Sequence, residues 1–166
     1  AAREFEQLNI FSRTPEKGEA LAAEINKTFS GQIDLVDSAE VAVTSADVLI
    51  TATSSYEPVF DKAWLRPGTH INSIGPKFQG AHELPEGIED LCDLLATDSL
   101  AQVKGYARPH FINDISSMIG LEEIVVGQHP GRTSDDQMTL FNSTGLAGTE
   151  VLLGNDLIQK YKAKET

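Results

Sequence analysis

The stretch THINSIGPKFQGAHEL, residues 69–84, decides the fold that we predict for this chain. In residues 70–74 polar and apolar side chains alternate, which is typical of a strand in a sheet. The strand ends at Gly75 and Pro76 and opens into a polar loop that extends to Glu83. Ligands of open α/β sheets bind at the carboxyl ends of the strands, so we expect the chemistry of the protein at this loop.

Strands and helices alternate on both sides of this stretch. Apolar runs predict strands at 8–11, 33–36, 48–53, 94–98 and 138–141. Thr14 and Pro15 begin a predicted amphipathic helix that ends near Gly31. A closing helix is predicted from about Leu146 to Lys162, and shorter helices at 38–44, 88–91 and 121–126. This alternation predicts the α/β class, with a Rossmann-like, doubly wound and mostly parallel sheet.

The composition limits the classes of function. The chain has 166 residues, 40% of them hydrophobic, and a net charge of −12, which suits one domain or a piece of one. Its 13 basic residues form no cluster, so we expect no nucleic-acid partner. No apolar run approaches the roughly 18 residues of a membrane helix, so we expect no membrane partner. The single cysteine, Cys92, fits a reducing compartment, and we expect a cytoplasmic protein.

The four histidines do not form a metal motif. They stand at positions 70, 82, 110 and 129, and no two of them have the i, i+4 spacing of a helical metal site. None neighbours the cysteine or a pair of carboxylates in a pattern that would complete a ligand set. We therefore expect no metal site, and we expect His70 to be a hydrogen-bonded, buried residue.

A glycine-rich turn usually opens a dinucleotide-binding domain, and the first half of this sequence has none. Such a domain begins with a strand that leads through G-x-G-x-x-G or G-x-G-x-x-A into a helix, whereas this chain starts just before the predicted second strand. We therefore expect residues 1–150 to be an NAD(P)-binding Rossmann domain without its first strand and glycine-rich turn. Residues 151–166 would be a closing helix and tail, and the chain a fragment of a longer protein.

Four segments resemble one known family in order and spacing. They are FSRTPEKGEALA (11–22), SADVLITATSSYEPVF (45–60), LRPGTHINSIGPKFQGAHEL (65–84) and MTLFNSTGLAGTEV (138–151). The sequence resembles the carboxyl-terminal two-thirds of the ornithine cyclodeaminase/mu-crystallin family, which includes archaeal-type alanine dehydrogenases and ketimine and pyrroline-2-carboxylate reductases. The resemblance implies a homodimer whose amino-terminal domain carries much of the substrate pocket and whose Rossmann domain binds NAD or NADP.

The end of the predicted second strand suits the ribose of a dinucleotide. Ser12, Arg13 and Thr14 stand where NAD enzymes place an acidic residue. An arginine between hydroxyl side chains fits a 2′-phosphate instead, which favours NADP over NAD as the cofactor. The alternative is that Thr14 only caps the helix and that Arg13 is solvated.

Two further groups of residues are expected at the nicotinamide. By resemblance, Thr51, Ala52 and Thr53 line its ribose side, and Ile74 and Gly75 form the edge of the pocket that faces the substrate. Ser143 and Thr144, in the motif FNSTGLA, are placed near the nicotinamide by the same resemblance. The alternatives are that the β-branched threonines only favour a strand and that Ser143 only caps the last helix.

Lys77 is the candidate catalytic residue. Cyclodeaminases of the family carry an aspartate two residues after the glycine that ends the His-Ile-Asn strand, and Lys77 stands at that position here. A lysine with a lowered pKa can attract a carboxylate or donate a proton to an imine nitrogen, but it can also simply point to water. Beside it, Phe78 either packs locally or closes over a substrate.

The predicted function is that of an NAD(P)-dependent oxidoreductase that acts on the C–N bond of an amino or imino acid. Loss of the aspartate makes ornithine cyclodeamination the weaker alternative, because it removes the family's proposed acid or base. A non-catalytic protein that binds NADPH or another small ligand, as in the crystallin branch, is the second alternative.

Overall fold

Two parallel sheets, one short hairpin and their connecting helices make up residues 4–145 and 147–164, the part of the chain that the computed structural model describes. The strands are β1 (Gln7–Ile10), β2 (Gln32–Leu35), β3 (Val48–Thr51), β4 (His70–Ser73), β5 (Lys77–Phe78), β6 (Ala81–His82), β7 (Leu94–Thr97), β8 (Ile119–Gly120) and β9 (Thr139–Asn142). The α-helices are α1 (Pro15–Ile25), α2 (Ala39–Thr44), α3 (Leu100–Gly105), α4 (Leu121–Val125) and α5 (Ala147–Lys164), and 3-10 helices span Lys62–Trp64 and Ile88–Leu91.

The larger sheet has five strands in the order β3-β4-β9-β7-β8, all of them parallel. The last strand of the sequence, β9, lies at its centre, between β4 and β7. Strands β1 and β2 pair with each other, also in parallel, as a separate sheet. The predicted α/β class with a mostly parallel sheet is therefore confirmed.

One face of the five-stranded sheet forms the hydrophobic core. Leu49, Ile71, Leu140 and Leu95 lie opposite one another in register on β3, β4, β9 and β7, and all four are buried. The residues that pack on them come from the segments after each strand: Phe60, Leu84, Ile88, Phe111, Ile112 and Met118. Trp64 is partly buried against the same cluster. The loops that follow the strands are thus anchored to the core.

Helix α1 is shorter and more exposed than predicted. It ends at Ile25 rather than near Gly31, and Leu21, one of its large apolar residues, is 50% exposed. Thr14 is the N-cap residue, but its side chain makes no capping hydrogen bond; its carbonyl oxygen accepts from Lys17 and Gly18 instead. The apolar periodicity was a weak guide here, because Gly18 is the only buried residue of α1.

Helix α5 begins before the predicted boundary between residues 150 and 151. It starts at Ala147, so that boundary lies within a helix; Leu146, the predicted first residue, lies outside the described residues. Several of its large apolar side chains are exposed, including Leu153 and Leu157. Within the described part of the chain, no helix combines the length and the apolar character needed to cross a bilayer.

Candidate functional site

A row of polar side chains crosses the five-stranded sheet where its strands end. Thr51, Ser73, Asn142 and Thr97 are paired in register on β3, β4, β9 and β7, so their side chains lie on the same face. All four are buried, and each is the last residue of its strand, at the carboxyl-terminal edge of the sheet where ligands of parallel sheets bind. We call these four residues the polar row.

Three side-chain atoms of the polar row are buried without a hydrogen-bond partner among the described residues. They are Thr51 Oγ1, Ser73 Oγ and Asn142 Oδ1. A buried polar group without a partner costs about 1–3 kcal/mol, so such atoms usually bind ordered water or a ligand. The polar row is therefore suited to hold a neutral polar group, such as an amide or a hydroxyl.

His110 orients the amide of Asn142. Its Nδ1 accepts a hydrogen bond from the backbone N–H of Ile112 at 3.1 Å, so the neutral ring carries its proton on Nε2. Nε2 lies 3.0 Å from the side chain of Asn142, and it can donate only to the amide oxygen, Oδ1. In that orientation Oδ1 gains its missing partner, and the amide N–H groups of Asn142 face the remaining polar row.

The imidazole of His110 is held neutral. Burial, and then the positive charge of Lys77, lower the pKa of His110 to about 4. At neutral pH the ring is therefore a fixed donor and acceptor rather than a charged group. This role could not be predicted, because an isolated histidine in a loop has no neighbouring motif to identify it.

Glu83 joins the ends of β3 and β4. Its carboxylate accepts hydrogen bonds from the backbone N–H of Thr53 and, at 2.8 Å, from that of Gly75. Its own backbone carbonyl accepts from Val59 at 2.9 Å, and the residue is completely buried. Gly75 has room for no side chain, since a Cβ there would overlap the Glu83 carboxylate and lie 2.6 Å from the carbonyl oxygen of Thr53.

Lys77 is buried instead of pointing to water. It is only 7% exposed, and its Nζ donates to the carbonyl oxygens of Gly75 at 2.7 Å and Ile74 at 3.3 Å. Burial lowers the pKa of Lys77, although the charges of Asp98 and Glu83 oppose this. The solvated alternative is therefore wrong, and a catalytic role for this lysine stays a prediction.

Asp98, directly after β7, holds the loop that contains Ser143 and Thr144. It accepts hydrogen bonds from the Ser143 hydroxyl at 3.0 Å, from the backbone N–H groups of Thr144 and Gly145 at 2.7 and 3.1 Å, and from the Thr144 hydroxyl. Burial raises the pKa of Asp98, but these bonds outweigh it and hold the pKa below its usual value. The two hydroxyls predicted to contact a cofactor therefore position the loop. An acidic residue just after a buried strand was the signal that would have identified Asp98.

The structure brings some of the predicted cofactor residues together and leaves others apart. Thr51, Ala52, Thr53, Ile74 and Gly75 meet at the ends of β3 and β4, where Ile74 N–H donates to Thr51 O at 2.9 Å. Ala52 and Thr53 are exposed, and Ile74 is 55% exposed, so this edge is open to a ligand.

The segment Ser12-Arg13-Thr14 lies on the other sheet, between β1 and α1. Arg13 and Thr14 are exposed, and the Ser12 hydroxyl accepts from the backbone N–H of Thr14 at 3.2 Å. No hydrogen bond found in residues 4–145 and 147–164 joins this segment to the polar row. Over the same residues, no group of three or more His, Cys, Asp or Glu side chains is arranged to hold a metal ion.

The chain is similar in sequence and in fold to known proteins. A profile of the Ornithine cyclodeaminase/mu-crystallin family matches residues 1–162. Over 169 residues the chain is 30% identical to a Δ1-pyrroline-2-carboxylate reductase of Bacillus cereus, a match that covers 96% of this chain and 51% of the relative.

Two solved structures extend the comparison. The Thermococcus litoralis Δ1-pyrroline-2-carboxylate reductase, in complex with NADH and L-proline, is 33% identical with a TM-score of 0.75; the match covers 86% of this chain and 46% of the other. An archaeal alanine dehydrogenase dimer with bound NAD is 26% identical with a TM-score of 0.82, over 96% of this chain and 51% of the other. The chain thus spans about half the length of the relatives it matches.

Proposed function

The chain belongs to the ornithine cyclodeaminase/mu-crystallin family, and we propose that it is part of an NAD(P)-dependent enzyme that reduces the C=N bond of an imino acid. The observation that carries this proposal is the 33% identity to a reductase whose structure contains NADH and L-proline. The open edge at Thr51–Thr53, Ile74 and Gly75 supports it, because ligands bind at the carboxyl ends of parallel strands.

The residues present fit a nicotinamide cofactor. Thr51 Oγ1 and Ser73 Oγ of the polar row lack hydrogen-bond partners among the described residues, as expected beside a group with amide and hydroxyl functions. Thr51, Ala52, Thr53, Ile74 and Gly75 would line the nicotinamide side, together with the loop of Ser143 and Thr144 that Asp98 holds. When bound, a reduced nicotinamide supplies the hydride, and the protein supplies position and electrostatics.

NADP is the favoured form of the cofactor in this proposal. Arg13 is exposed at the start of α1, where helix N–H groups and a guanidinium both attract phosphate. Ser12 and Thr14 flank it with hydroxyl groups that can donate to the same oxygens. This segment would hold the adenosine ribose and its 2′-phosphate.

Lys77 is the proposed proton donor. An ammonium group has three N–H donors, and the carbonyls of Ile74 and Gly75 accept two of them. The third N–H has no acceptor that we find in the described residues, so it is available for a substrate nitrogen. The lowered pKa of Lys77 makes it a better acid than an exposed lysine.

We propose that one further strand completes the sheet of the Rossmann domain, residues 1–150. Strand β1 pairs only with β2 and β3 only with β4 in the described structure, so each has an open edge. Asn9 on β1 donates to the Ser45 hydroxyl at 2.9 Å, which places β1 beside the end of α2. A parallel strand between β1 and β3 would join the two sheets into the doubly wound form, and the glycine-rich turn would follow it.

The proposed function is tested by assaying the full-length protein with Δ1-pyrroline-2-carboxylate. We expect oxidation of NADPH or NADH that depends on the imine. Ammonia release from ornithine without net cofactor turnover would contradict the proposal and indicate a cyclodeaminase. Thermal stabilisation by NADPH without any turnover would also contradict it and indicate a binding protein.

A further inference from the structure

The hairpin of β5 and β6 places two opposite charges beside one glycine. Lys77 begins β5, and a two-residue turn, with Gly80 at a φ of +72°, returns the chain so that Glu83 follows β6. The backbone N–H of Glu83 donates to the carbonyl oxygen of Pro76 at 3.2 Å, which closes the hairpin next to Gly75. Lys77 and Glu83 therefore reach the same peptide segment from the two ends of the hairpin.

Gly75 is held through both of its backbone polar groups. Its N–H donates to one Glu83 carboxylate oxygen at 2.8 Å, and its carbonyl oxygen accepts from Lys77 Nζ at 2.7 Å. The other Glu83 oxygen accepts from the backbone N–H of Thr53, just after β3. Glu83 is completely buried and Lys77 is almost so, and water therefore screens these charges little. The position of Lys77 depends on Gly75, and that of Gly75 depends on Glu83.

Other charged and titratable groups also face Lys77. Burial lowers the pKa of Lys77, and the charges of Asp98 and Glu83 oppose this. His110, in the segment that pairs with β5, is neutral at pH 7, because burial and then the charge of Lys77 lower its pKa to about 4. His82 is the register partner of Lys77, and its Nδ1 lies 2.7 Å from a backbone carbonyl oxygen. Asp98 holds the loop after β9, so Glu83 is the one of the two carboxylates that also holds the ends of β3 and β4.

We propose that Glu83 is a positioning residue for the reduction, which holds Thr53, Gly75 and, through Gly75, Lys77 in place around the C=N bond. This inference rests on the proposed reduction, with Lys77 as proton donor, and deepens it. As the imine carbon accepts the hydride, the π electron pair of the C=N bond passes to nitrogen, which takes a proton from Lys77 Nζ and leaves a neutral amine there. Glu83 acts through the Gly75 peptide group, and its negative charge favours the ammonium form of Lys77 that this step needs.

Glu83→Gln tests the positioning role in turnover. Glutamine keeps the shape of the side chain but offers one accepting oxygen to the N–H groups of Thr53 and Gly75, and it carries no charge. In the full-length protein, assayed with Δ1-pyrroline-2-carboxylate and NADPH or NADH, we expect kcat to fall roughly tenfold to hundredfold, as misplacement of a reacting group does. The KM of the imine should change little. Glu86→Gln, which removes an exposed carboxylate from the same part of the chain, is the matched control and should keep the parent kcat.

The titration of Lys77 is a second measurement, which does not depend on turnover. Lysines are labelled with an NMR-active isotope at the ε-carbon, and the signal of Lys77 is identified by its loss in Lys77→Met. We expect the titration midpoint of Lys77 to move to lower pH in Glu83→Gln, because a negative charge that favours the ammonium form is removed. The midpoint should not move in Glu86→Gln. The alkaline fall of kcat should move to lower pH together with the midpoint.

Glu83→Asp separates position from charge and carries the test if Glu83→Gln does not fold. It keeps the carboxylate on a shorter side chain, so we expect kcat to fall while the midpoint of Lys77 stays closer to that of the parent. The inference is overturned if the folded variants keep the parent kcat, or if Glu83→Gln leaves the midpoint of Lys77 where it was. A shifted midpoint in a protein that reduces no imine would uphold the link between Glu83 and Lys77 and contradict only the proposed reaction.

Discussion

Three charged side chains of the site form hydrogen bonds with backbone groups and not with one another. They are those of Glu83, Lys77 and Asp98. Glu83 and Asp98 accept from backbone N–H groups, and Lys77 donates to backbone carbonyls. Hydrogen bonds to charged groups contribute about 1.5–3 kcal/mol each, and removing one partner leaves the other buried without compensation. The geometry of the site therefore depends on a few residues outside any recognisable motif.

Gly75→Ala tests the close approach between Glu83 and the end of β4. The new Cβ would overlap the Glu83 carboxylate and the carbonyl oxygen of Thr53, and only the carboxylate can move. We expect a loss of about 2–4 kcal/mol in the free energy of unfolding, measured by urea denaturation. Gly105→Ala is the control, because a Cβ at Gly105 meets no atom within 4 Å. Equal stabilities of the two variants would contradict this account of Gly75.

The lowered pKa of His110 makes the free energy of unfolding depend on pH. Its pKa falls from 6.5 in the unfolded chain to about 4 in the folded protein, so between these values the unfolded chain binds more protons. Stability is therefore lost as the pH falls from 6.5 towards 4, by about 3 kcal/mol in total at 1.36 kcal/mol for each pH unit. Urea denaturation across this range should show the decline.

The control for His110 compares two substitutions. His110→Gln should flatten the decline below pH 6.5, whereas His129→Gln should leave it as in the parent protein. An unchanged slope in His110→Gln would show that another group causes the pH dependence.

Arg13 decides the choice between NADPH and NADH in our proposal. Arg13→Ala should weaken NADPH binding to the full-length protein roughly tenfold to hundredfold, because a charge-assisted bond to phosphate is lost. Binding of NADH, which has no 2′-phosphate, should change little, and Lys17→Ala, in the first turn of α1, serves as a charge-matched control. Equal losses for both nucleotides, measured by calorimetry, would remove the basis for preferring NADP.

At the scale of elements, the connection from β9 to α5 depends on the end of β7. Asp98 accepts four hydrogen bonds from Ser143, Thr144 and Gly145, so one side chain fixes how the chain leaves the centre of the sheet. The folded protein favours the ionised form of Asp98, whose pKa is lowered. This contribution to stability is present above the unfolded pKa and is lost as the pH falls through the folded value.

Asp98→Asn tests this connection. An amide has only one accepting oxygen and carries no charge, so at least one N–H or O–H of the loop loses its partner. We expect the free energy of unfolding to fall by about 2–3 kcal/mol at neutral pH. Asp37→Asn, at an exposed residue before α2, is the matched control and should cost little. A similar small effect at Asp98 would mean that the loop is held in another way.

At the scale of the whole molecule, the chain exposes apolar surface that a self-sufficient domain normally covers. On α5, Val151, Leu153, Leu157, Ile158 and Tyr161 are 54–72% exposed. Ile50 on β3 is 58% exposed, on the sheet face opposite the core. Large exposed apolar patches mark interaction surfaces, so we propose that the remainder of the full-length protein, or its homodimer, covers them.

The exposed face of α5 predicts that the 166-residue chain alone associates and binds the dye ANS. Leu153→Glu combined with Leu157→Glu should reduce both dye fluorescence and light scattering. Asn155→Glu combined with Gln159→Glu adds the same charge to the polar face of the helix and should change the dye fluorescence little. If both double variants lower dye fluorescence and light scattering equally, net charge rather than the apolar face governs association.

The α/β class, the family and six of the nine described strands could be predicted from the sequence, and the structure and the family profile confirm them. The short strands β5, β6 and β8 were not predicted. Periodicity and turn residues act over a few neighbours, so a run such as HINSIGP predicts its strand and its end without tertiary information. The family resemblance, rather than a local pattern, led us to expect Gly75 and Lys77 at the edge of the site. The local pattern overestimated the length of α1, because helix length also depends on the surface available for packing.

The strand order within the sheet and the hydrogen bonds of the site could not be predicted, because they join distant segments of the chain. Glu83 reaches Thr53 across 30 residues, His110 reaches Asn142 across 32, and Asp98 reaches Thr144 across 46. None of these pairs has a spacing that helix or strand geometry would reveal, so a buried partner and a solvated side chain look the same in the sequence. The difference arises when the parallel strands align their carboxyl ends, because burial then requires each charged or polar group to find a partner from a distant part of the chain.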